Sequence, residues 1–197
     1  IFTKKEPITK HIFNEIDENI LDYAEDDGKL VEPLFYLPIV PMVLINGTEG
    51  IGTGWASGIP KFNPLDIIKN IKLLLNDKEP FEMYPWYRGF KGTISKIKTN
   101  SWLTKGCYHI NTANSIVITE LPIGLWTNKF KSILDAYMLC KKTAYLKDYK
   151  NNSTESKIHF TLVFNNNIMN DLLIEKDKLG INKFEQLFKL TSKISCN

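Results

Sequence analysis

Pro38-Ile-Val-Pro-Met-Val-Leu-Ile-Asn-Gly-Thr-Glu-Gly-Ile-Gly-Thr-Gly-Trp-Ala-Ser-Gly-Ile-Pro60 is the stretch around which this chain is organised. A short apolar run, Met42 to Ile45, leads into Gly47, Gly50, Gly52, Gly54 and Gly58. The run reads as a buried strand and Asn46-Gly47 as the turn that ends it. Glycine lacks a Cβ, so such a cluster points to left-handed turns or to a backbone that comes close to something else. Between Gly50 and Gly52 stands one bulky β-branched residue, Ile51. The stretch therefore reads as either a phosphate cradle or the mount for an apolar wedge.

The cradle is the weaker reading. No Lys-Ser or Lys-Thr follows the last glycine, so the lysine and the magnesium-binding hydroxyl of a P-loop are missing. Trp55 occupies the place where a dinucleotide-binding fingerprint needs its third glycine. His11, His109 and His159 lie far apart, with no Cys or carboxylate at metal-binding spacing. Asp26 and Asp27 sit in an acidic turn suited to solvated charge, and no Ser/His/Asp set can be assembled. No catalytic residue and no metal ligand can be named.

The remaining composition is that of an ordinary globular chain of 197 residues, 43% of them hydrophobic. No apolar run approaches the roughly 20 residues that a spanning helix needs, so no membrane partner is expected. The chain opens on Ile1 without a Met or an apolar leader, and the expectation is a piece of a longer intracellular protein. Cys107, Cys140 and Cys196 are odd in number and far apart, which fits reduced thiols. The net charge of +3, from 25 basic and 22 acidic residues, reads as a lysine-rich solvated surface and does not by itself argue for nucleic acid.

Outward from the glycine stretch, Ile12, Phe13, Ile16 and Ile20 predict a helix within residues 3–23, followed by a turn at 25–29. Pro33 and Pro38 hold the next residues extended, placing a boundary between 28 and 41. Asn63-Pro64 is a helix start, with Leu65, Ile68, Ile71, Leu74 and Leu75 as its apolar face. Phe81, Tyr84, Trp86, Tyr87 and Phe90 around Arg88 could stack bases but read better as a satellite core. Strands are predicted near 93–97, 107–110, 115–119 and 157–164, with helices at 127–139 and 168–178. Residues 147–156 read as a polar loop, and 184–190 as a short final element. Without βαβ alternation, the class is α+β.

At this point a resemblance becomes visible. Tyr36 to Gly47, Glu49 to Trp55 and Ile59-Pro60 closely resemble eukaryotic DNA topoisomerase II, a type IIA enzyme. The likeness continues through Pro85-Trp86, Phe90-Lys-Gly-Thr93, Glu120-Leu-Pro122, Trp126-Thr127, Phe188-Lys-Leu190 and Ser195-Cys-Asn197. The resemblance implies an α+β chain in which residues 1–40 end a winged-helix domain. Residues 41–197 would form the tower, a mixed antiparallel-sheet and helix domain that binds and bends the gate DNA. It implies a nucleophilic tyrosine immediately before Ile1, so that this piece alone is expected to be inactive. The Mg2+ and ATP of the whole enzyme would bind outside it. The implied partners are double-stranded DNA and a second copy of the enzyme in a homodimer, and the implied compartment is the nucleus. Ile51 would enter between base pairs, with Asn46, Gly50, Gly52, Thr53 and Trp126 as further DNA contacts. The family usually carries an arginine where this chain has Gly124, and Lys129 and Lys131 are the expected substitutes for its charge. The rivals are a nucleotide-binding enzyme and a structural or interaction module with Ile51 buried.

Overall fold

The apolar period over Thr9–Ile20 does not become one helix. The computed structural model, which describes residues 3–139, 145–165 and 168–197, has a single turn α1 at Thr9–Ile12 and a separate 3-10 helix at Glu15–Ile20. Phe13 between them is extended, and Asn14 accepts a hydrogen bond on its side chain from the Ile16 N–H. Asparagine competes with the helix for backbone hydrogen bonds, so it ends one turn and caps the next. A hairpin follows, β1 (Tyr23–Asp26) and β2 (Lys29–Pro33), around the expected turn. From Thr3 to Ile59 no residue is fully buried.

Met42–Asn46 is a helical turn, α2, and not the expected strand. Leu44 and Ile45 both pack on a small core of Phe62, Ile67 and Trp102. In a strand, consecutive side chains point to opposite faces; a helical turn brings both toward one core. Gly47 ends α2 at φ 67, ψ 170, a conformation open essentially to glycine alone. The glycine stretch then forms an antiparallel hairpin, β3 (Thr48–Gly52) and β4 (Trp55–Ile59).

Helix α3 (Pro64–Leu74) starts as expected, with the Asn63 side chain accepting from the Leu65 N–H and proline in the first turn. Its buried residues, however, are Ile67 and Asn70, while Leu65, Ile68, Leu74 and Leu75 are exposed. Asn70 is held by an amide exchange with the Phe81 backbone, giving 2.9 Å and receiving 3.0 Å hydrogen bonds. That fixed pair, with Ile67, sets the face of α3. Of the aromatic segment, Phe81, Tyr84 and Trp86 are exposed, so it is not the expected satellite core.

The rest of the chain forms two antiparallel sheets. β5 (Thr93–Lys98), β6 (Ser101–Lys105) and β11 (Thr191–Ser195) pair in the order β11-β6-β5. β7 (Cys107–Thr112), β8 (Ser115–Glu120), β9 (Leu146–Asn151) and β10 (Phe160–Phe164) pair as β7-β8-β10-β9. The chain crosses between sheets at Gly106, where a Cβ would sit 2.4 Å from the Glu120 carbonyl oxygen. β6 and β11 are not legible in the sequence pattern. β6 is central, with Trp102 and Leu103 both buried, so it has no alternation to read. β9 replaces most of the expected loop at 147–156; it is an edge strand, and charged side chains are how edges resist further pairing.

The main core lies between the four-stranded sheet and three helices, α4 (Thr127–Leu139), α5 (Ile168–Ile174) and α6 (Lys183–Leu187). Phe130 and Leu134 of α4 are fully buried, and α5 ends four residues before the expected Lys178. The resulting architecture is mixed α+β with antiparallel sheets. Cys107 and Cys196 are free thiols; Cys140 lies outside the described residues, as do Ile1 and Phe2, next to the expected tyrosine. No helix among the described residues is long and apolar enough to cross a membrane.

Candidate nucleic-acid interface

The β3–β4 hairpin is fixed at its base and free at its tip. At the base, α2 packs into the small core, and the Phe62 N–H donates to the Leu44 carbonyl at 2.8 Å. On the return strand, the Asn197 N–H donates to the Gly58 carbonyl at 2.9 Å. The tip projects beyond these ties. Ile51 is 91% exposed, so the reading with Ile51 in a core is not what the molecule adopts. The strand register puts Ile51 opposite Ala56 and Gly52 opposite Trp55, so isoleucine and tryptophan occupy opposite faces of the ribbon.

The two glycines flanking Ile51 have different surroundings. A Cβ on Gly50 would meet only the Ser57 hydroxyl, at an ordinary 3.5 Å. A Cβ on Gly52 would press on the Trp55 indole at 3.2 Å, so the room at Gly52 is taken up by a neighbour in the same chain. Thr53 and Gly54 form the turn at the tip. Trp55, 83% exposed, is a surface residue of the hairpin that the sequence reading does not single out as a site residue; the two-residue turn that sets it opposite Gly52 is the available signal.

Asn46 and Trp126 lie elsewhere, on a groove of about 870 Å³. Its walls are the hairpin base (Asn46 to Glu49), the turn Tyr87–Phe90, the segment Glu120–Thr127 and the loop Thr154–Ile158. Trp126 is 78% exposed there and so is not core packing. Six expected residues thus fall into two groups: Gly50, Ile51, Gly52 and Thr53 on the tip, Asn46 and Trp126 on the groove. Lys129 and Lys131, expected to replace the charge missing at Gly124, do not line the groove. Lys61, Arg88 and Lys157 do, and none of them forms an ion pair among the described residues. Sequence order hides these three because they come from separate elements.

The carboxylates on the groove are Glu49, Glu120 and Glu155. Glu120 is turned onto the backbone, accepting from the Lys91 and Leu121 N–H groups at 3.3 and 3.2 Å. Among the described residues no three His, Cys, Asp or Glu side chains gather as a metal site would require. Nothing in the described geometry offers a nucleophile with a base beside it. What the surface does offer is an exposed apolar side chain on a ribbon tied at its base, next to a groove with an aromatic and three cations that form no ion pair among the described residues.

Known proteins contain closely similar chains. The profile of the family described as DNA gyrase/topoisomerase IV, A subunit, matches residues 1–197. "DNA topoisomerase 2, mitochondrial" of Dictyostelium discoideum is 40% identical over 196 residues, covering 99% of this chain and 15% of that protein. DNA topoisomerase 2 of Drosophila melanogaster is 36% identical over 200 residues, covering 100% of this chain and 14% of the relative. The crystal structure of the Plasmodium falciparum topoisomerase II DNA-binding, cleavage and re-ligation domain superimposes with a TM-score of 0.85 at 37% identity. That alignment covers 95% of this chain and 25% of the other. The chain thus spans about 15% of the length of the curated relatives it matches. On the whole-length profile match, with eukaryotic topoisomerase II sequences and a topoisomerase II fold beside it, the chain belongs to the family of the DNA gyrase and topoisomerase IV A subunits.

Proposed function

We propose that this chain is the gate-DNA binding and bending segment of an ATP-dependent type II DNA topoisomerase. Residues 1–40 are read as the end of the winged-helix domain and residues 41–197 as the tower. The absence of any fully buried residue from Thr3 to Val40 supports the first part: that segment has no core of its own and needs cover from the rest of its domain. In the whole enzyme, the tyrosine immediately before Ile1 attacks a DNA phosphodiester through its hydroxyl oxygen. The bond to the 3′ oxygen breaks and the 5′ phosphate is held on the tyrosine; the reverse attack reseals the strand. Two copies of the enzyme acting on double-stranded DNA give the double-strand break through which a second duplex passes. Magnesium and ATP belong to other parts of that enzyme, and no step assigned to this chain runs through either. The nucleus is the compartment in this reading, although the relative in D. discoideum is named as mitochondrial.

The observation that carries the bending role is Ile51, 91% exposed at the tip of a ribbon whose two ends are anchored. Leaving an isoleucine in water forgoes about 1.5–3 kcal/mol of burial, which insertion between base pairs recovers. Apolar wedges of this kind partly unstack a step and kink the duplex by roughly 20–90°. Because the cost depends on how strongly the step stacks, the wedge adds sequence preference without base hydrogen bonds. Asn46, Gly50, Gly52, Thr53 and Trp126 are the neighbouring contacts in this reading. The test is Ile51→Ala in the full-length enzyme, with bending read by fluorescence transfer across an end-labelled duplex. Reduced bending is expected, with at most about 0.3 kcal/mol lost from the fold because so little of the side chain is buried. Unchanged bending would reject the wedge.

A further inference from the structure

Away from the hairpin, helix α3 presents a face that the fold leaves uncovered. Leu65, Ile68, Lys72 and Leu75 recur at intervals of three and four residues, so they lie on one side of the helix, and all four are exposed. Beside that stripe, Lys69, Lys72, Leu73 and Asn76 meet Lys78 and Phe81 of the following segment around a crevice of about 400 Å³. Two local devices build it. The helix stops at Asp77, whose φ of 54 lets its N–H donate to the Leu74 carbonyl at 3.1 Å and the Lys78 N–H to the Leu73 carbonyl at 3.0 Å. A stop of this kind sets the second residue past the end against the last turn, here Lys78 against Leu73. Farther along, the buried Asn70 side chain accepts from the Phe81 N–H at 3.0 Å and donates to the Phe81 carbonyl at 2.9 Å. Those bonds clamp Phe81 to the helix through its backbone alone. Its ring belongs to neither core and is 41% exposed.

We propose that the outer face of α3 docks an acidic peptide segment of a partner protein, with one apolar side chain of that segment seated on Leu73 and Phe81 and its carboxylates against Lys72 and Lys78. The sign of the charge selects the acidic partner. No carboxylate lines the crevice; Lys69 is paired with Asp66 at 3.5 Å, while Lys72 and Lys78 form no ion pair among the described residues. Asp77 and Glu79 flank Lys78 in sequence but stand outside the lining. The apolar surface selects a peptide. A sugar-phosphate backbone would engage the lysines and leave Leu65, Ile68, Leu75 and the Phe81 ring in water, whereas a peptide with an anchor covers both kinds of group. Because Asn70 already holds the Phe81 backbone in place, little ordering is left to oppose association. The face is also separate from the DNA surface. The crevice shares no lining residue with the groove that carries Trp126, and α3 sets it roughly 15 Å along its axis from the hairpin base.

The experiment selects a displayed library of random 16-residue peptides on the full-length enzyme and compares enrichment on three variants: Lys72→Glu with Lys78→Glu, Lys72→Arg with Lys78→Arg, and Phe81→Ala. Peptides that depend on the face should be rich in Asp and Glu around one aromatic or large aliphatic residue. Their affinity, read by fluorescence anisotropy, should fall about tenfold or more in the charge reversal and in Phe81→Ala, the size expected for a central anchor. The arginine variant, which keeps the charge, should stay within about twofold of the parent. A saturating duplex should not displace these peptides, and DNA bending should be the same in all three variants. Failure of Ile51 to bend DNA would reject the wedge and leave this surface standing. If Phe81→Ala lowers the melting temperature, the two exposed lysines decide the result. Peptides that bind equally to parent and charge-reversed enzyme would overturn the proposal, as would face-dependent peptides without acidic residues. Displacement by the duplex, or weaker duplex binding in the charge reversal, would overturn it in favour of a nucleic-acid contact.

Discussion

Replacing Gly47 by alanine tests whether the base of the hairpin aims its tip. Gly47 joins α2 to β3 at φ 67, ψ 170, where a residue with a Cβ pays about 1–3 kcal/mol. The added carbon would also lie 2.7 Å from the Ile59 carbonyl oxygen and 3.1 Å from Lys61 Cγ. The lysine carbon belongs to a flexible side chain and can move. The carbonyl cannot move alone, because Ile59 ends β4 opposite Thr48. The clash must therefore be relieved by shifting one strand against the other or by reorienting the link to α2. Both outcomes loosen the ribbon that carries Ile51. A loss of about 1–3 kcal/mol in local stability corresponds to about 5- to 150-fold faster hydrogen exchange, provided that exchange proceeds through local opening. The assay is exchange mass spectrometry on the full-length enzyme, comparing peptides over residues 48–59 with peptides over the core strand β10. Acceleration confined to the hairpin, together with reduced DNA bending, is the expected result. Exchange at 48–59 within twofold of the parent protein would refute the argument that this glycine is required by its conformation.

Phe188 has no exposed surface and meets the rings of Tyr137, Phe164 and Phe184, so Phe188→Ala should cost about 3–5 kcal/mol and release exchange across the main core. Asp177 responds to acid: the N–H of Ile181, and after it that of Leu179, holds its carboxyl below the usual carboxylate range. A depressed folded-state pKa contributes stability above the unfolded value that disappears as pH falls through the folded one. Protection of the Leu179 and Ile181 amides should therefore decay on acidification below the ordinary aspartate value of about 3.8, and Asp177→Asn should abolish that local dependence. Identical acid profiles for the two proteins would remove Asp177 as its cause.

The site and the core differ in how much of each can be read in advance. Helix α4 is legible to the residue because Phe130, Leu134 and Tyr137 face a large apolar mass, and their spacing alone records that. The start of α3 is legible for a local reason, since Asn63 and Pro64 act within one turn. The face of α3 is not, because Asn70 is buried by a hydrogen-bond exchange with Phe81, and no hydrophobic pattern encodes such a bond. Met42–Asn46 reads wrongly as a strand because Val43 and Ile45 favour strands, while the small core needs Leu44 and Ile45 on one side. The strand β6 is hidden because burial on both faces erases alternation.

By itself the sequence determined the α+β class, the starts of α3, α4 and α5, the glycine-flanked isoleucine and a likeness running the length of the chain. Each of these depends on neighbours a few residues apart, or on a pattern preserved in order. Tertiary structure decided that Ile51 stands clear of the core, that the room at Gly52 is filled by Trp55, and that Lys61, Arg88 and Lys157 share one groove. These depend on strand register and on segments brought together from distant parts of the chain, where charge and space add up without regard to sequence order.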